Sequence, residues 1–235
     1  MHSGRPVPQT IVLHTIPWEE LMPGVMRRLI WAQPMWNKPA IPREISMVRF
    51  APGVKVPLHR HVGGDEIVYV IEGVLSDEFG DISAGNVGYR PEGCVHSLHT
   101  LNGATIISCL IGRSVSVSER PSDSPPSQII NVNAMAWQSA EGGLVQLKMI
   151  WSDQASDRRC VLGKLAPGMV MPLHEHVGEE FVFQIEGAFV DEAGTVSPGC
   201  IGYRPYKCHH SFTSENGGIA LGCIWGHSVY LQDTD

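Results

Sequence analysis

The stretch APGVKVPLHRHVGGDEIVYVIEG, residues 51–73, returns later in the chain as APGMVMPLHEHVGEEFVFQIEG, residues 166–187. The two copies align almost residue for residue, with one deletion where GGDE becomes GEE. The match continues downstream, where SAGNVGYRPEGCVHS (83–97) aligns with SPGCIGYRPYKCHHS (197–211). A period of about 115 residues is far longer than a solenoid unit and indicates two duplicated domains.

The boundary between the copies is marked by the segment SERPSDSPPSQ, residues 118–128. Serine, proline and charged residues replace the apolar alternation there, which is typical of a linker. The sequence therefore predicts an N-terminal domain at 1–120 and a C-terminal domain at 121–235.

The fold class follows from the apolar runs within each copy, which are short, rich in Val, Ile, Tyr or Phe, and bounded by Gly and Pro. Such runs are strand signals. The 25 Gly and 17 Pro also indicate many turns. A helix is arguable only over WEELMPGVMRRLIW (18–31), which Pro23 and Gly24 interrupt. We therefore predict an all-β protein.

The composition excludes several classes of function. The net charge is −7 and no basic run exceeds the pair Arg27-Arg28, which argues against nucleic acid and against an anionic membrane as partners. No apolar stretch reaches the ~20 residues needed to span a bilayer. The first residues, MHSGRPVPQT, lack the apolar centre of a secretion signal. We expect a cytoplasmic protein whose six Cys remain thiols. The sequence does not decide whether the protein forms a homo-oligomer.

Histidines at strand spacing predict a metal site in each copy. His59 and His61 are one residue apart, so both side chains point to the same face of an extended strand. One such pair alone is more often a surface feature, but two four-residue sets in register favour metal binding. Three neutral imidazoles and a carboxylate suit Fe(II), Mn(II), Ni(II), Zn(II) or Cu(II). The predicted ligands are His59, His61, Glu66 and His96 in the first domain and His174, His176, Glu180 and His210 in the second.

These spacings resemble the two motifs of the cupin superfamily. Gly53-x5-His59-x-His61-x4-Glu66-x6-Gly73 is similar to the first motif, and Gly85-x5-Pro91-x-Gly93-x2-His96 is similar to the second. Thr100 stands where the second motif ends in Asn. The second repeat also matches the first motif, but Lys207 replaces the turn glycine and Ser214 replaces the Asn.

The order HRHVGGDE, IEG, DEFGD, SAG and RPEGCVH most resembles the ChrR-like branch of the cupins. This resemblance implies a small jelly-roll barrel for each repeat, with one divalent transition metal inside each barrel. The branch contains zinc-binding anti-sigma proteins and small non-haem iron dioxygenases that act on diketones and hydroxyacetophenones. Fe(II) and Zn(II) are therefore the first expectations for the metal, and Mn and Ni follow.

Three hypotheses for function remain open at this point. The first is a metal-dependent dioxygenase that cleaves a small diketone or hydroxyketone bound in the barrel. The second is a regulatory or sensing protein, although the chain has no CxxC pair of the kind that the anti-sigma relatives carry in their zinc domain. The third is a bicupin whose ion is mainly structural, which a closed tetrahedral zinc site would fit.

Other positions recur beside the predicted ligands. Cys94 and Cys208 each precede the third histidine by two residues, so each thiol either reaches the metal or acts as a small buried residue. The sequence GYRP recurs before the turn, and one member of its Tyr-Arg pair faces inward.

Two further expectations concern the second repeat. His209 neighbours His210 and should face away from the metal, since adjacent strand residues point to opposite faces. Lys207 resists positive φ, so the loop that carries His210 is predicted to adopt a different turn from its counterpart.

Overall fold

The structure, a computed structural model, describes residues 5–34 and 40–231. These residues form β-strands and three short 3₁₀ turns, with no α-helix in the described ranges, which confirms the predicted all-β fold. Nothing in those ranges is a helix of the length and apolarity needed to cross a membrane. The strands are β1 (Gln9–Val12), β2 (Glu19–Met22), β3 (Val25–Ala32), β4 (Arg43–Phe50), β5 (Lys55–Val62), β6 (Glu66–Asp77), β7 (Gly80–Ser83), β8 (Val87–Arg90), β9 (Val95–His99), β10 (Ala104–Ile111), β11 (Arg113–Ser116), β12 (Gln128–Ile130), β13 (Gln138–Ala140), β14 (Val145–Asp153), β15 (Arg158–Leu165), β16 (Met169–Gly187), β17 (Phe189–Asp191), β18 (Gly194–Val196), β19 (Cys200–Arg204), β20 (His209–Ser214) and β21 (Gly218–Tyr230). The 3₁₀ turns are Leu13–Thr15, Val132–Ala134 and Glu141–Gly143.

The first compact unit spans Ile16–Ala134. Its sheet runs in the order β11-β5-β9-β6-β10-β4-β3-β2, with β7 and β8 beside β6 and with β12 beside β8. The paired strands are antiparallel, and apolar side chains from one face of the curled sheet meet inside it. That core contains Val25, Val48, Phe50, Val68, Val70, Leu75, Ile82, Leu98, Ala104 and Ile106.

The segment in which a helix was arguable is a β-hairpin. Strands β2 and β3 pair with Glu19 opposite Arg27 and Met22 opposite Val25. Gly24 takes a φ of 80°, which a residue with a side chain adopts only at a cost. Pro23 and Gly24 therefore form the turn of a hairpin, and the helical interpretation of residues 18–31 is wrong.

The second compact unit contains the described residues up to Thr15 and those from Met135 onward. Its sheet runs in the order β13-β14-β15-β21-β16-β20-β17-β18, and β19 pairs with both β16 and β1. Strand β16 is long because it joins the counterparts of β5 and β6 into one continuous element. It therefore carries His174, His176 and Glu180 on a single strand.

The described residues up to Thr15 belong to the unit of the second repeat, and residues 121–134 belong to that of the first, while the division of the sequence at 120 and 121 stays a prediction. Each unit includes the short strand that precedes the other repeat in the sequence: β1 pairs with β19, and β12 pairs with β8. The pairings correspond, since Gln9 lies opposite Tyr203 and Gln128 lies opposite Tyr89. Each short strand gains backbone hydrogen bonds at an open sheet edge, which the linker composition does not encode.

The turn before the third histidine is the same in both units. Lys207 has a φ of 66° and Gly93 a φ of 85°, so both lie in the left-handed region. Lys207 N–H donates to the carbonyl of His176 at 2.8 Å, as Gly93 N–H does to His61 at 2.9 Å. The prediction of a different turn around Lys207 is therefore wrong, because the hydrogen bonds of the turn outweigh the steric cost of a lysine there.

Candidate metal centres

The first candidate centre is built on β5 and β9, which pair so that His59 lies opposite His96. His61 shares a face with His59 because side chains two apart on a strand point the same way. The Nε2 atoms of His61 and His96 are 3.0 Å apart. The ring centroid of His59 lies 4.4 Å from that of His96 and 5.5 Å from that of His61. The structure thus brings the three predicted histidines of this domain together.

The second candidate centre repeats this arrangement on β16 and β20, where His174 lies opposite His210. The Nε2 atoms of His176 and His210 are 2.9 Å apart. The ring centroid of His174 lies 4.4 Å from that of His210 and 5.0 Å from that of His176. All three rings are buried, and they too form a single cluster of donor atoms.

The predicted carboxylate of the first domain lies beside its triad. Glu66 Oε2 is 3.8 Å from His61 Nε2 and 3.7 Å from Arg90 Nη1, and the Ser108 hydroxyl donates to Oε1 at 2.7 Å. Burial by itself would raise the pKa of Glu66, but His61, Arg90 and the Ser108 hydrogen bond together lower that pKa. The group is therefore an anion at neutral pH, facing the imidazoles.

Glu180 has the corresponding place in the second domain, with Oε2 3.8 Å from His176 Nε2. Its support differs, however. Alignment of the repeats places Gly222 where the first domain has Ser108, so the hydroxyl donor of Glu66 has no equivalent at that position.

The backbone orients the first histidine of each triad. Nδ1 of His59 lies 2.9 Å from the carbonyl oxygen of Pro57, and Nδ1 of His174 lies 2.8 Å from that of Pro172. A carbonyl only accepts, so Nδ1 carries the hydrogen and donates it. The Nε2 lone pair of each ring is then available to a metal ion.

Burial keeps four of the six imidazoles uncharged. Desolvation lowers the pKa of His61, His96, His174 and His176 below the ordinary 6.5, in the case of His176 to about 4. Neutral imidazoles are the form that binds a metal cation. Both centres are therefore ready to take an ion at neutral pH without first releasing protons from these rings.

A buried arginine and a buried aspartate lie behind the third histidine of the first triad. Arg90 Nε donates to Nδ1 of His96 at 3.3 Å, and Asp77 Oδ2 is 3.7 Å from Arg90 Nη2 and 3.8 Å from His96 Nδ1. All three side chains are inaccessible to solvent. Nδ1 of His96 is the acceptor in this arrangement, so an ion bound through Nε2 would require the ring hydrogen to move to Nδ1 and the Arg90 hydrogen bond to be replaced by one to a carboxylate such as Asp77.

The second domain contains the same assembly, with Arg204 paired to Asp191 and Asp191 Oδ2 3.3 Å from His210 Nδ1. Sequence reasoning found the Tyr-Arg pair but missed both aspartates. The signal was present, since Asp77-Glu78 and Asp191-Glu192 are aligned copies followed by the same turn. The inward member of the Tyr-Arg pair is the arginine, which pairs with a buried carboxylate, and Arg204 also lines the cavity of the second unit.

The remaining residues singled out in the sequence lie outside the donor clusters. Cys94 and Cys208 are fully buried, and burial raises the pKa of each thiol to about 11. They are protonated at neutral pH and behave as small buried residues. His209 lies opposite Glu175 and pairs with its carboxylate at 2.5 Å, away from His210 as predicted.

Each centre opens into a cavity of its own unit. The first cavity measures about 760 Å³, and His59, Glu66 and Ser108 contribute polar groups to a largely apolar wall. The second measures about 360 Å³ and is lined by His174, Glu180 and His210 among apolar and aromatic side chains. Both volumes fall in the range of small-molecule sites.

The donor sets fit a divalent transition metal. Two nitrogens bound about 2.1 Å from one ion at a right angle are about 3.0 Å apart, whereas a tetrahedral angle separates them by about 3.4 Å. The observed separations of 3.0 and 2.9 Å match the right angle. The structure brings the three predicted histidines of each domain into one donor cluster, and their role as ligands together with Glu66 or Glu180 stays a prediction.

Comparison with solved structures shows the fold. The chain resembles a protein from Nostoc punctiforme whose suggested activity is that of a dioxygenase, with 13% identity over 97% of this chain and 88% of that one and a TM-score of 0.76. It also resembles oxalate decarboxylase from Bacillus subtilis, with 15% identity over 97% and 80% of the two chains and a TM-score of 0.66. Structural work on that enzyme describes Mn(II) centres. A comparison with curated protein sequences found no significant match.

Sequence comparison with protein families assigns the chain directly. Residues 7–112 and 126–225 each match the family described as the ChrR Cupin-like domain. Together with the fold and the repeated histidine triads, this match shows that the chain is a bicupin of the ChrR cupin-like family.

Proposed function

We propose that each domain binds one divalent transition metal and that the first domain is the active site of a metal-dependent dioxygenase. Its substrate would be a small diketone or hydroxyketone. The observation that carries this proposal is the position of His59 and Glu66 in the wall of a cavity of about 760 Å³. A donor set at the wall of a substrate-sized cavity supports a reactive centre better than a purely structural one.

The separation of the imidazole nitrogens supports an open coordination shell. A right angle between His61 and His96 is expected for an octahedral ion, and four protein ligands then leave two positions for other molecules. A closed tetrahedral zinc site would fill its shell with the four side chains. The arrangement therefore favours Fe(II), Mn(II) or Ni(II) over structural zinc, and we propose Fe(II) as the ion of the first centre.

The cavity wall favours an uncharged substrate. Val25, Val48, Phe50, Val68, Leu98 and Ile106 contribute apolar surface to it. Arg27 and Arg113 also line the cavity. Glu19 and Glu44 neutralise Arg27 at 2.7 and 3.2 Å, and Arg113 is exposed, so water screens its charge. A dicarboxylate such as the substrate of oxalate decarboxylase would find little compensating charge here, whereas a diketone would desolvate at low cost.

The ion would act as a Lewis acid toward the enolate of the substrate and, as Fe(II), would bring dioxygen to the activated carbon. Dioxygen is the oxidant, and both of its atoms enter the products. For a 1,3-diketone, the bond between the central carbon and one carbonyl carbon breaks, giving one carboxylic acid and one 2-oxoaldehyde. The apolar wall excludes bulk water, while Ser108 holds Glu66 toward the triad.

The test is oxygen uptake by the Fe(II)-loaded chain over a panel of 1,3-diketones and hydroxyketones, with ¹⁸O₂ to follow both oxygen atoms. We expect turnover in the wild type and in His176→Ala, and its loss in His61→Ala. Zinc bound as purified, with no turnover by the iron-loaded chain on any panel member, would reject the dioxygenase and favour a regulatory metal-binding protein.

We place the protein in the cytoplasm, where its six free cysteines would stay reduced.

A further inference from the structure

The two centres differ in the residue that faces the first histidine of the triad from the neighbouring strand. In the first domain β11 pairs with β5, and Ser116 lies opposite His59. In the second domain the end of β21 pairs with β16, and Tyr230 lies opposite His174. Alignment of the repeats makes Ser116 and Tyr230 equivalent positions. A small hydroxyl in one domain is thus replaced by a phenol ring in the other.

The ring of Tyr230 lies at the side of the second centre. Its centroid is 6.2 Å from that of His174, in an edge-on arrangement. Its hydroxyl lies 3.4 Å from the sulfur of Met171, and both residues line the cavity. His174 is only 5% exposed, whereas its counterpart His59 is half-buried. The phenol ring therefore lies beside the more buried of the two equivalent histidines.

At two further equivalent positions the side chain is also larger in the second domain. Val56 and Leu98 line the first cavity, and Met171 and Phe212 take their places in the second. The second domain, which has the larger side chains at these positions, has a cavity of about 360 Å³, whereas the cavity of the first domain measures about 760 Å³. Elsewhere on the wall the second domain has smaller residues, with Gly163 and Ala220 in place of Val48 and Ile106, so the added bulk is confined to Tyr230, Met171 and Phe212.

We infer that Tyr230 restricts the access of exogenous ligands to the second centre, so that the first centre alone binds and turns over substrate. This inference rests on the proposed function, because it assigns different tasks to the two proposed ions. Tyr230 acts by occupying the approach to the ion, and no chemical step is assigned to it. The second ion would then serve the stability of its barrel.

Azide binding to cobalt provides a test that does not depend on activity. Two full-length variants isolate the centres: His174→Ala/His176→Ala keeps the first, and His59→Ala/His61→Ala keeps the second. Each is loaded with Co(II) and titrated with azide while the visible absorption is followed. We expect the second centre to bind azide at least ~10-fold more weakly than the first, a difference of about 1.4 kcal/mol.

Substitutions at the two equivalent positions provide the matched controls. Tyr230→Ser should strengthen azide binding at the second centre by about the same ~10-fold factor, and Ser116→Tyr should weaken it at the first. Tyr230→Phe keeps the ring and should change little. Both positions are exposed, so these variants should fold.

The possible results distinguish failure of the role of Tyr230 from failure of the proposed metal centres. Cobalt bound at both centres with equal azide affinity, or a Tyr230→Ser variant no different from its parent, would overturn the role of Tyr230 and leave the metal centres standing. Failure of both single-centre variants to bind cobalt would overturn the centres, and the inference with them.

Discussion

Removal of the Asp77 carboxylate should destabilise the first domain strongly. Asp77 is fully buried, pairs with Arg90 and accepts a hydrogen bond from the backbone N–H of Phe79 at 2.8 Å. In Asp77→Ala the guanidinium of Arg90 stays buried, with Glu66 as its nearest remaining carboxylate at 3.7 Å. Loss of one partner of a buried ion pair costs about 3–5 kcal/mol, and because Glu66 remains beside Arg90 we expect the lower end of that range, about 3 kcal/mol.

The adjacent residue offers a matched control. Glu78 also carries a carboxylate in the same turn, but its side chain is 33% exposed and it bonds to Ser97 at 2.8 and 2.9 Å. Water can replace those bonds, so Glu78→Ala should cost about 1 kcal/mol. The expected difference between the two substitutions is thus about 2 kcal/mol, although the residues are neighbours.

Urea unfolding of the chelator-treated protein, followed by circular dichroism, measures both values. Asp191→Ala should reproduce the large loss in the second domain, since Asp191 pairs with Arg204 in the same way. Asp77→Asn should cost less than Asp77→Ala because the amide oxygen still accepts from Phe79. If Asp77→Ala were no more destabilising than Glu78→Ala, the buried pair of Asp77 and Arg90 would not be what stabilises the region behind His96.

Two further predictions concern the turn and the triads. Lys207→Gly should stabilise the protein by about 0.5 kcal/mol, because relief of a left-handed lysine, about 1–2 kcal/mol, exceeds the added entropy of an unfolded glycine, about 0.4–1 kcal/mol. Gly93→Lys should destabilise the protein for the same reason. Thermal unfolding in which both variants matched the wild type would contradict this interpretation of the turn. The free energy of unfolding without metal should fall as the pH drops from 7 to 5, because the unfolded chain takes up protons near pH 6.5 that the buried histidines refuse. His176, with its pKa at about 4, accounts for about 2 kcal/mol of this loss at pH 5. A flat profile between pH 7 and 5 would mean that the triads are already hydrated or protonated.

The repeat and its period-two spacing were sufficient to predict the fold class and the residues that converge. His59 and His61 had to share a face once their segment was a strand, and the second copy made coincidence improbable. The hairpin at residues 19–32 was missed because Pro23 and Gly24 were interpreted as a helix break instead of a turn.

The sequence could not reveal features that depend on non-local energies. The pairing of β1 with β19 joins residues almost two hundred positions apart, which no local pattern encodes. Lys207 was expected to reshape its loop, yet a steric cost of about 1–2 kcal/mol is smaller than that of losing the hydrogen bonds of the turn. Asp77 and Asp191 recur as aligned residues, but their pairing with the buried Arg90 and Arg204 is a tertiary contact that no local pattern encodes.

The metal content of single-site variants tests the central claim most directly. The chain purified without added metal, then dialysed against Fe(II), Mn(II) or Zn(II) and analysed by mass spectrometry, should contain about two ions per chain. His61→Ala and His176→Ala should each retain about one, and the double variant none, while His209→Ala should match the wild type. Retention of both ions by His61→Ala and His176→Ala, or a wild type that binds no ion at either triad, would contradict the account.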